Sequence, residues 1–193
     1  DKRIGKQFLR AGIGYGGNCL KKDINALIAI AGDKGVKMNI LNEVEIFNNQ
    51  QRLILIKKLQ NKIGILNNKK IAIFGLTFKS DTDDYRDAPS IDIIKKLQNQ
   101  NVNINLYDPF GTDQFIAKYF QNSKRIYGYN SAYDAGKDVD AIMIITEWDE
   151  FKNLDFIKIS EVMKGNLILD GRNILEPSMI RAAGLEYIGI ANS

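Results

Sequence analysis

The sequence predicts an α/β protein in two parts: a helical segment over residues 1–66 and a parallel-sheet domain over residues 67–193. Three observations predict it. Apolar residues up to Leu59 recur at helical spacing. From Ile71 onward, short apolar runs alternate with helix-like stretches, the pattern of a mostly parallel sheet with helices on both faces. Between the two regimes, Gly64 to Lys69 breaks the chain.

Residues 1–11 read as a basic lead-in carrying Lys2, Arg3, Lys6 and Arg10. Ile24, Leu27, Ile28 and Ala31 then place a helix from about Leu20 to Gly32–Gly35, where Gly-Asp-Lys-Gly supplies a C-cap. A second, longer helix is expected from about Asn39 to Lys62. Ile40, Val44, Phe47, Leu55 and Leu59 share one stripe, and Leu41, Ile46, Leu53, Ile54 and Ile56 widen it. Such a helix should be buried on several sides, either within its own domain or partly against another subunit. Strands are expected over 71–76, 102–107, 141–146, 167–170 and 186–190. Helices are expected over 90–97 after Pro89, and over 112–120, 132–135, 154–163 and 177–182. Ligands of such sheets sit at the carboxyl ends of the strands. Three polar clusters fall there: Phe78-Lys79 with Arg86, Thr146-Glu147-Trp148, and Asp170-Gly171-Arg172-Asn173.

Composition narrows the chemistry. The 193 residues are 45% hydrophobic and 26% charged, ordinary for a globular chain. No apolar run approaches a membrane span, so no membrane is expected as a partner. The net charge of +4 is dispersed, without the basic patch that nucleic acid requires, yet it suits an anionic small molecule. The amino terminus carries no signal or transit pattern and no initiating Met, so the chain is expected to be a piece of something longer, from the cytoplasm. One cysteine excludes an internal disulfide and fits a reducing compartment. The absence of histidine excludes a Cys-His pair and leaves carboxylate, lysine, tyrosine or held water as general base; with one cysteine, no metal site is expected.

The most informative stretch is Gly12-Ile13-Gly14-Tyr15-Gly16-Gly17-Asn18-Cys19-Leu20-Lys21-Lys22-Asp23. It places the sole cysteine at a helix N-terminus, where free N–H groups and the dipole favour a thiolate. Lys22 and Asp23, three and four residues on, share its face. The alternative is a small buried hydrophobe beside a flexible turn. Gly12, Gly14 and Gly17 satisfy G-x-G-x-x-G, but Arg3 to Ala11 do not read as the strand that fingerprint needs. Lys79, Arg86 and Arg172 share one edge, where Arg suits phosphate oxygens and Phe78 suits a planar base. With the thiol, they point to a phosphorylated substrate and covalent chemistry; the alternative is solvated surface charge.

These motifs together resemble those of the UDP-glucose/GDP-mannose dehydrogenases. The resemblance rests on Arg3-Ile4-Gly5 through Phe8-Leu9, the Gly14–Asp23 segment, Gly75-Leu76-Thr77-Phe78-Lys79 with Thr82-Asp83-Asp84 and Arg86, Tyr107-Asp108-Pro109, Thr146-Glu147-Trp148 and Asp170-Gly171-Arg172-Asn173. It covers essentially the whole chain, but only the central and C-terminal part of such an enzyme. It implies a central helical dimerisation domain followed by a Rossmann-like UDP-binding domain. The implied reaction oxidises UDP-glucose to UDP-glucuronate with two NAD. Cys19 is the implied nucleophile, forming a thiohemiacetal and then a thioester, and Asp23 the carboxylate that orders or activates water. Implied substrate-binding residues are Arg3 (reaching a neighbouring subunit's site), Phe8, Leu9, Arg10, Gly12, Tyr15, Gly16, Phe78, Lys79 and Arg172. Lys22 and Arg86 are implied near NAD, and the long helix is the implied homodimer core. The family often has Pro where Lys21 stands and Ser where Asn18 stands. The family's amino-terminal Rossmann domain, with a catalytic lysine, asparagine and glutamate, is absent from this sequence, so the isolated chain is expected to be inactive. Two alternatives stand beside this reading: a sibling acting on GDP-mannose or a UDP-N-acetylamino sugar, and a non-catalytic dimerisation or nucleotide-sugar-binding module.

Overall fold

A computed structural model describes residues 9–191. Helices α1 (Asn18–Asp33), α2 (Asn39–Gln51) and α3 (Ile54–Ile63) precede the first strand. There follow β1 (Lys70–Phe74), α4 (Pro89–Gln98), β2 (Asn103–Tyr107), α5 (Thr112–Tyr119), β3 (Ile126–Gly128), α6 (Ala132–Ala135), β4 (Ala141–Ile144), α7 (Asp149–Lys152), α8 (Phe156–Val162), β5 (Leu167–Asp170), α9 (Pro177–Ala182) and β6 (Glu186–Gly189). The strands form one sheet in the order β3-β2-β1-β4-β5-β6, and all five pairings are parallel. Chain direction across the sheet reverses between β1 and β4, which opens a crevice at their carboxyl ends.

The strands are short apolar runs because both sheet faces are covered. Ile71 and Ile73 point into one core with Leu55, Leu59, Ile93, Leu97 and Phe115. Ala72 and Phe74, one residue out of phase, point into the other with Phe151, Phe156, Ile159 and Ile180. Pro89 and Pro177 start α4 and α9, where a missing N–H costs nothing. The Asp155 carboxylate caps α8 by accepting from the Ile157 and Lys158 N–H groups. Helix α1 ends where Gly35 takes a left-handed turn at φ 72°.

Two expectations need correction. The long helix from Asn39 to Lys62 is two helices, broken at Arg52–Leu53, where the Leu53 N–H bonds to the Gln50 carbonyl at 3.1 Å. The cause is tertiary: Arg52 is buried, and its guanidinium bonds outside the helix to Asp87, Asp92 and the Tyr15 carbonyl. Burial within the chain also differs between the two halves. Helix α3 buries Leu55, Ile56 and Leu59, whereas α2 leaves Ile40, Val44, Ile46 and Phe47 exposed. Finally, the sheet has a sixth strand, β3, and a short helix, α7, that periodicity does not reveal. Only Ile126 of β3 is buried, too little to make an apolar run.

Candidate functional site

The crevice begins with the loop after β1. Gly75 turns at φ 91°, and a Cβ there would press on Thr146, so only glycine lets β1 and β4 part this closely. Asp108 follows β2 and holds the turn: its Oδ2 accepts from the Leu76 N–H at 2.6 Å and from the Trp148 indole N–H at 3.3 Å. The Thr146 hydroxyl donates to the Thr77 carbonyl at 2.7 Å. Asp170 does the same work after β5, accepting from the Arg172, Ile174 and Leu175 N–H groups and from the Tyr187 hydroxyl. The aspartates of the Tyr107-Asp108-Pro109 and Asp170-Gly171-Arg172-Asn173 motifs therefore serve loop construction.

The glycine-rich loop lies across this frame. Its Ile13 N–H donates to the Gly171 carbonyl at 3.1 Å, and its Gly17 N–H to the Arg86 carbonyl at 3.1 Å. Helix α2 grips it from the other side. The Asn48 side chain accepts from the Tyr15 N–H at 2.8 Å and donates to the Tyr15 carbonyl at 3.1 Å, while the Gln51 amide donates to the Gly12 carbonyl at 2.9 Å. A Cβ at Gly17 would meet the Phe78 ring at 2.9 Å, so the loop backbone rests on that ring.

Arg172 joins these parts. Its Nε donates to the Ile145 carbonyl at 2.7 Å, Nη1 to the Gly14 carbonyl at 3.3 Å and Nη2 to the Phe78 carbonyl at 3.3 Å. Glu147 lies 3.1 Å from Nε as its counter-ion. Burial pulls the guanidinium below its ordinary pKa, against the opposing pull of Glu147. An arginine still remains charged there, so the crevice holds a fixed cation.

Helix α1 starts directly after the loop, and Cys19 sits exposed in its first turn. Arg86 lies beside this turn, its carbonyl accepting from the Gly17 N–H, but its fork is held by Asp84, with Nε–Oδ1 at 2.9 Å and Nη2–Oδ2 at 2.8 Å. Lys22 and Asp23 are exposed and pair at 3.6 Å. Lys79 is exposed, with its ammonium 5.5 Å from the Phe78 ring centroid. The Tyr15 hydroxyl donates to the Glu45 carboxylate, and burial with that bond pushes the phenol up to about 12. Leu9 and Arg10 are exposed, and Gly12 lies against Arg172. Arg3 and Phe8 lie outside the described residues.

Gly12, Tyr15, Gly16, Phe78 and Arg172 thus come together around the loop that leads into Cys19. Asn48, Arg52 and Asp87 are the residues that sequence reasoning missed. Arg52 did carry a signal, because it lies on the same helical stripe as Leu55 and Leu59, an odd place for a charge.

Strand order and crevice define a doubly wound α/β domain of the nucleotide-binding class, to which a helical arm brings a thiol. Comparison with known proteins narrows this. Residues 72–177 match the UDP-binding domain of the UDP-glucose/GDP-mannose dehydrogenase family, and residues 1–50 match that family's central domain. The chain belongs to this family. It is 41% identical over 190 residues to a UDP-glucose 6-dehydrogenase of Bacillus subtilis, covering 98% of this chain and 42% of that protein. It is 39% identical over 193 residues to a UDP-glucose 6-dehydrogenase of Rickettsia conorii, covering 100% of this chain and 44% of that protein. A solved UDP-glucose dehydrogenase from Pyrobaculum islandicum superimposes with a TM-score of 0.84 at 26% identity, over 100% of this chain and 41% of the other. The chain therefore spans less than half the length of these relatives.

Proposed function

We propose that this chain is the thiol-bearing, uridine-side part of an NAD-dependent enzyme that oxidises UDP-glucose to UDP-glucuronate. The observation that carries the reading is the placement of Cys19: exposed, in the first turn of α1, directly after a loop that rests on Phe78 and is tied to Arg172. The relatives named UDP-glucose dehydrogenases support this substrate over its siblings.

In this reading residues 1–66 form the dimerisation domain and residues 67–193 the UDP-sugar domain. Phe78 packs on the uracil or ribose, and Lys79 supplies a point charge to the diphosphate. Arg172 has five N–H groups and gives three to carbonyls, which leaves one on each terminal nitrogen for a sugar or phosphate oxygen. Leu9, Arg10, Gly12, Tyr15 and Gly16 line the sugar, with Phe8 and, from a second subunit, Arg3. The Cys19 thiolate adds to the C6 aldehyde, and Asp23, one turn along the helix, orders the water that later releases the acid. Lys22 and Arg86 fit NAD at the open edge, as exposed cations beside the thiol that suit its diphosphate. NAD supplies the hydride acceptor. The working form is a cytoplasmic homodimer built on the exposed apolar face of α1 and α2. No helix among the described residues is long and apolar enough to cross a membrane.

Calorimetric titration of the full-length protein with UDP-glucose, UDP and GDP-mannose tests the substrate. Binding of the two uridine ligands but not GDP-mannose is expected. Preference for GDP-mannose, or a UDP-N-acetylamino sugar that displaces UDP-glucose, would move the reading to the sibling enzymes.

A further inference from the structure

Helix α1 is weakly held by packing. Of its 16 residues only Ala31 is buried. Something other than a core must fix the position of its first turn. Charged side chains from three elements meet behind that turn. Asp87, in the loop before α4, accepts from Arg52 Nη1 at 3.0 Å and Nη2 at 2.7 Å, and from Lys21 Nζ at 3.0 Å. Arg52 Nη2 also donates to the Tyr15 carbonyl at 2.7 Å, and Nη1 donates to Asp92 at 2.8 Å. Burial alone would raise the Asp87 carboxyl, but the bonds from Arg52 and Lys21 outweigh it and hold the group below the usual carboxylate range.

The backbone agrees. Asp87 stands at φ 52°, in the left-handed region that Asp and Asn enter more readily than other non-glycine residues. Its carbonyl lies so close to Gly16 that a Cβ there would come within 2.5 Å. The chain before Cys19, at Tyr15 and Gly16, and the chain after it, at Lys21, are thus both tied to one carboxylate and its partners.

We propose that Asp87, with Arg52 and Lys21, is a charged clasp that positions the Cys19 sulfur against the crevice lined by Phe78, Lys79 and Arg172. These are positioning residues: they act through the helix and touch no reacting atom. The inference rests on the reading of Cys19 as nucleophile.

The test uses the full-length protein with Asp87→Asn, Lys21→Met and Lys21→Arg. Asn keeps the side-chain shape and accepts the left-handed backbone, so the first variant should fold. Three quantities are read: the rate of Cys19 alkylation by iodoacetamide, followed on the Cys19 peptide by mass spectrometry; kcat and KM for UDP-glucose; and Tm. A thiol displaced by about 1 Å loses up to about 100-fold in rate. Asp87→Asn should lower kcat by about 10- to 100-fold, leave KM within about 3-fold and change the alkylation rate by at least about 3-fold. Lys21→Met should do the same more weakly, and Lys21→Arg should restore it. A lower Tm with unchanged alkylation and kcat would overturn the proposal, as would a rise in KM alone or a Lys21→Arg variant no better than Lys21→Met. If Cys19→Ser still forms the acid, the nucleophile reading fails separately, and the alkylation rates still judge the clasp.

Discussion

Helices α2 and α3 are adjacent in sequence and similarly rich in apolar residues, yet they use them in opposite ways. Helix α3 turns Leu55, Ile56 and Leu59 into the sheet and buries them completely or nearly so. Helix α2 leaves Ile40 80% and Phe47 65% exposed, and α1 adds Leu27 and Ile30 to the same exposed class. The difference separates a segment that completes its own core from one whose apolar side chains lie open on the surface. It also explains why the thiol helix needs a charged clasp: its apolar side chains offer the chain almost nothing to hold.

The comparison can be broken in several places. The largest effect on folding is expected at Leu59. Leu59→Ala removes a fully buried side chain that docks α3 on the sheet and should cost about 2–5 kcal/mol in denaturant unfolding. Next comes Arg172→Ala, which should weaken UDP-glucose binding to the full-length protein by about 1.5–3 kcal/mol in a calorimetric titration. Unchanged affinity would remove Arg172 from the ligand.

Asp87 sharpens the comparison through pH. Its folded-state pKa is depressed, so its contribution to stability is fully present above the unfolded value of about 3.9 and is lost as pH falls through the lower folded value. The stability gap between the parent protein and Asp87→Asn should therefore stay constant from neutral pH down to about 4 and shrink below it. A gap independent of pH down to acid unfolding would contradict the ion pairing. The smallest effect on the subunit itself belongs to Phe47→Ser, an exposed substitution worth within about 0.5 kcal/mol to folding. The same change should shift the full-length protein toward monomer in sedimentation equilibrium. A dimer of unaltered affinity would show that the α1–α2 face is not the interface.

The sheet is largely legible in the sequence because parallel strands covered on both faces read as continuous apolar runs. Ala141–Ile144 and Leu167–Asp170 are fully buried and lie within or match the runs that periodicity marks. Strand β3 is hidden because an edge strand with one buried residue leaves no pattern. The break at Arg52 is hidden for another reason: Gln50 to Leu55 are adequate helix formers, and the cause is a carboxylate 35 residues away. The site divides in the same way. The glycines, Cys19, Phe78 and Arg172 carry residue types whose chemistry announces itself. Asn48 and Asp87 look like surface polar residues until the fold brings them to the loop and to Arg52, whose place on an apolar stripe was its one signal.

The most direct measurement is the fate of UDP-glucose and NAD with the full-length protein carrying Cys19→Ser. The reading of Cys19 as nucleophile predicts that the variant binds UDP-glucose normally but forms UDP-glucuronate more slowly by about 10³-fold or more. Acid formation at the parent rate would show that Cys19 is a bystander on an exposed helix, and that the chemistry of this family member runs through another group.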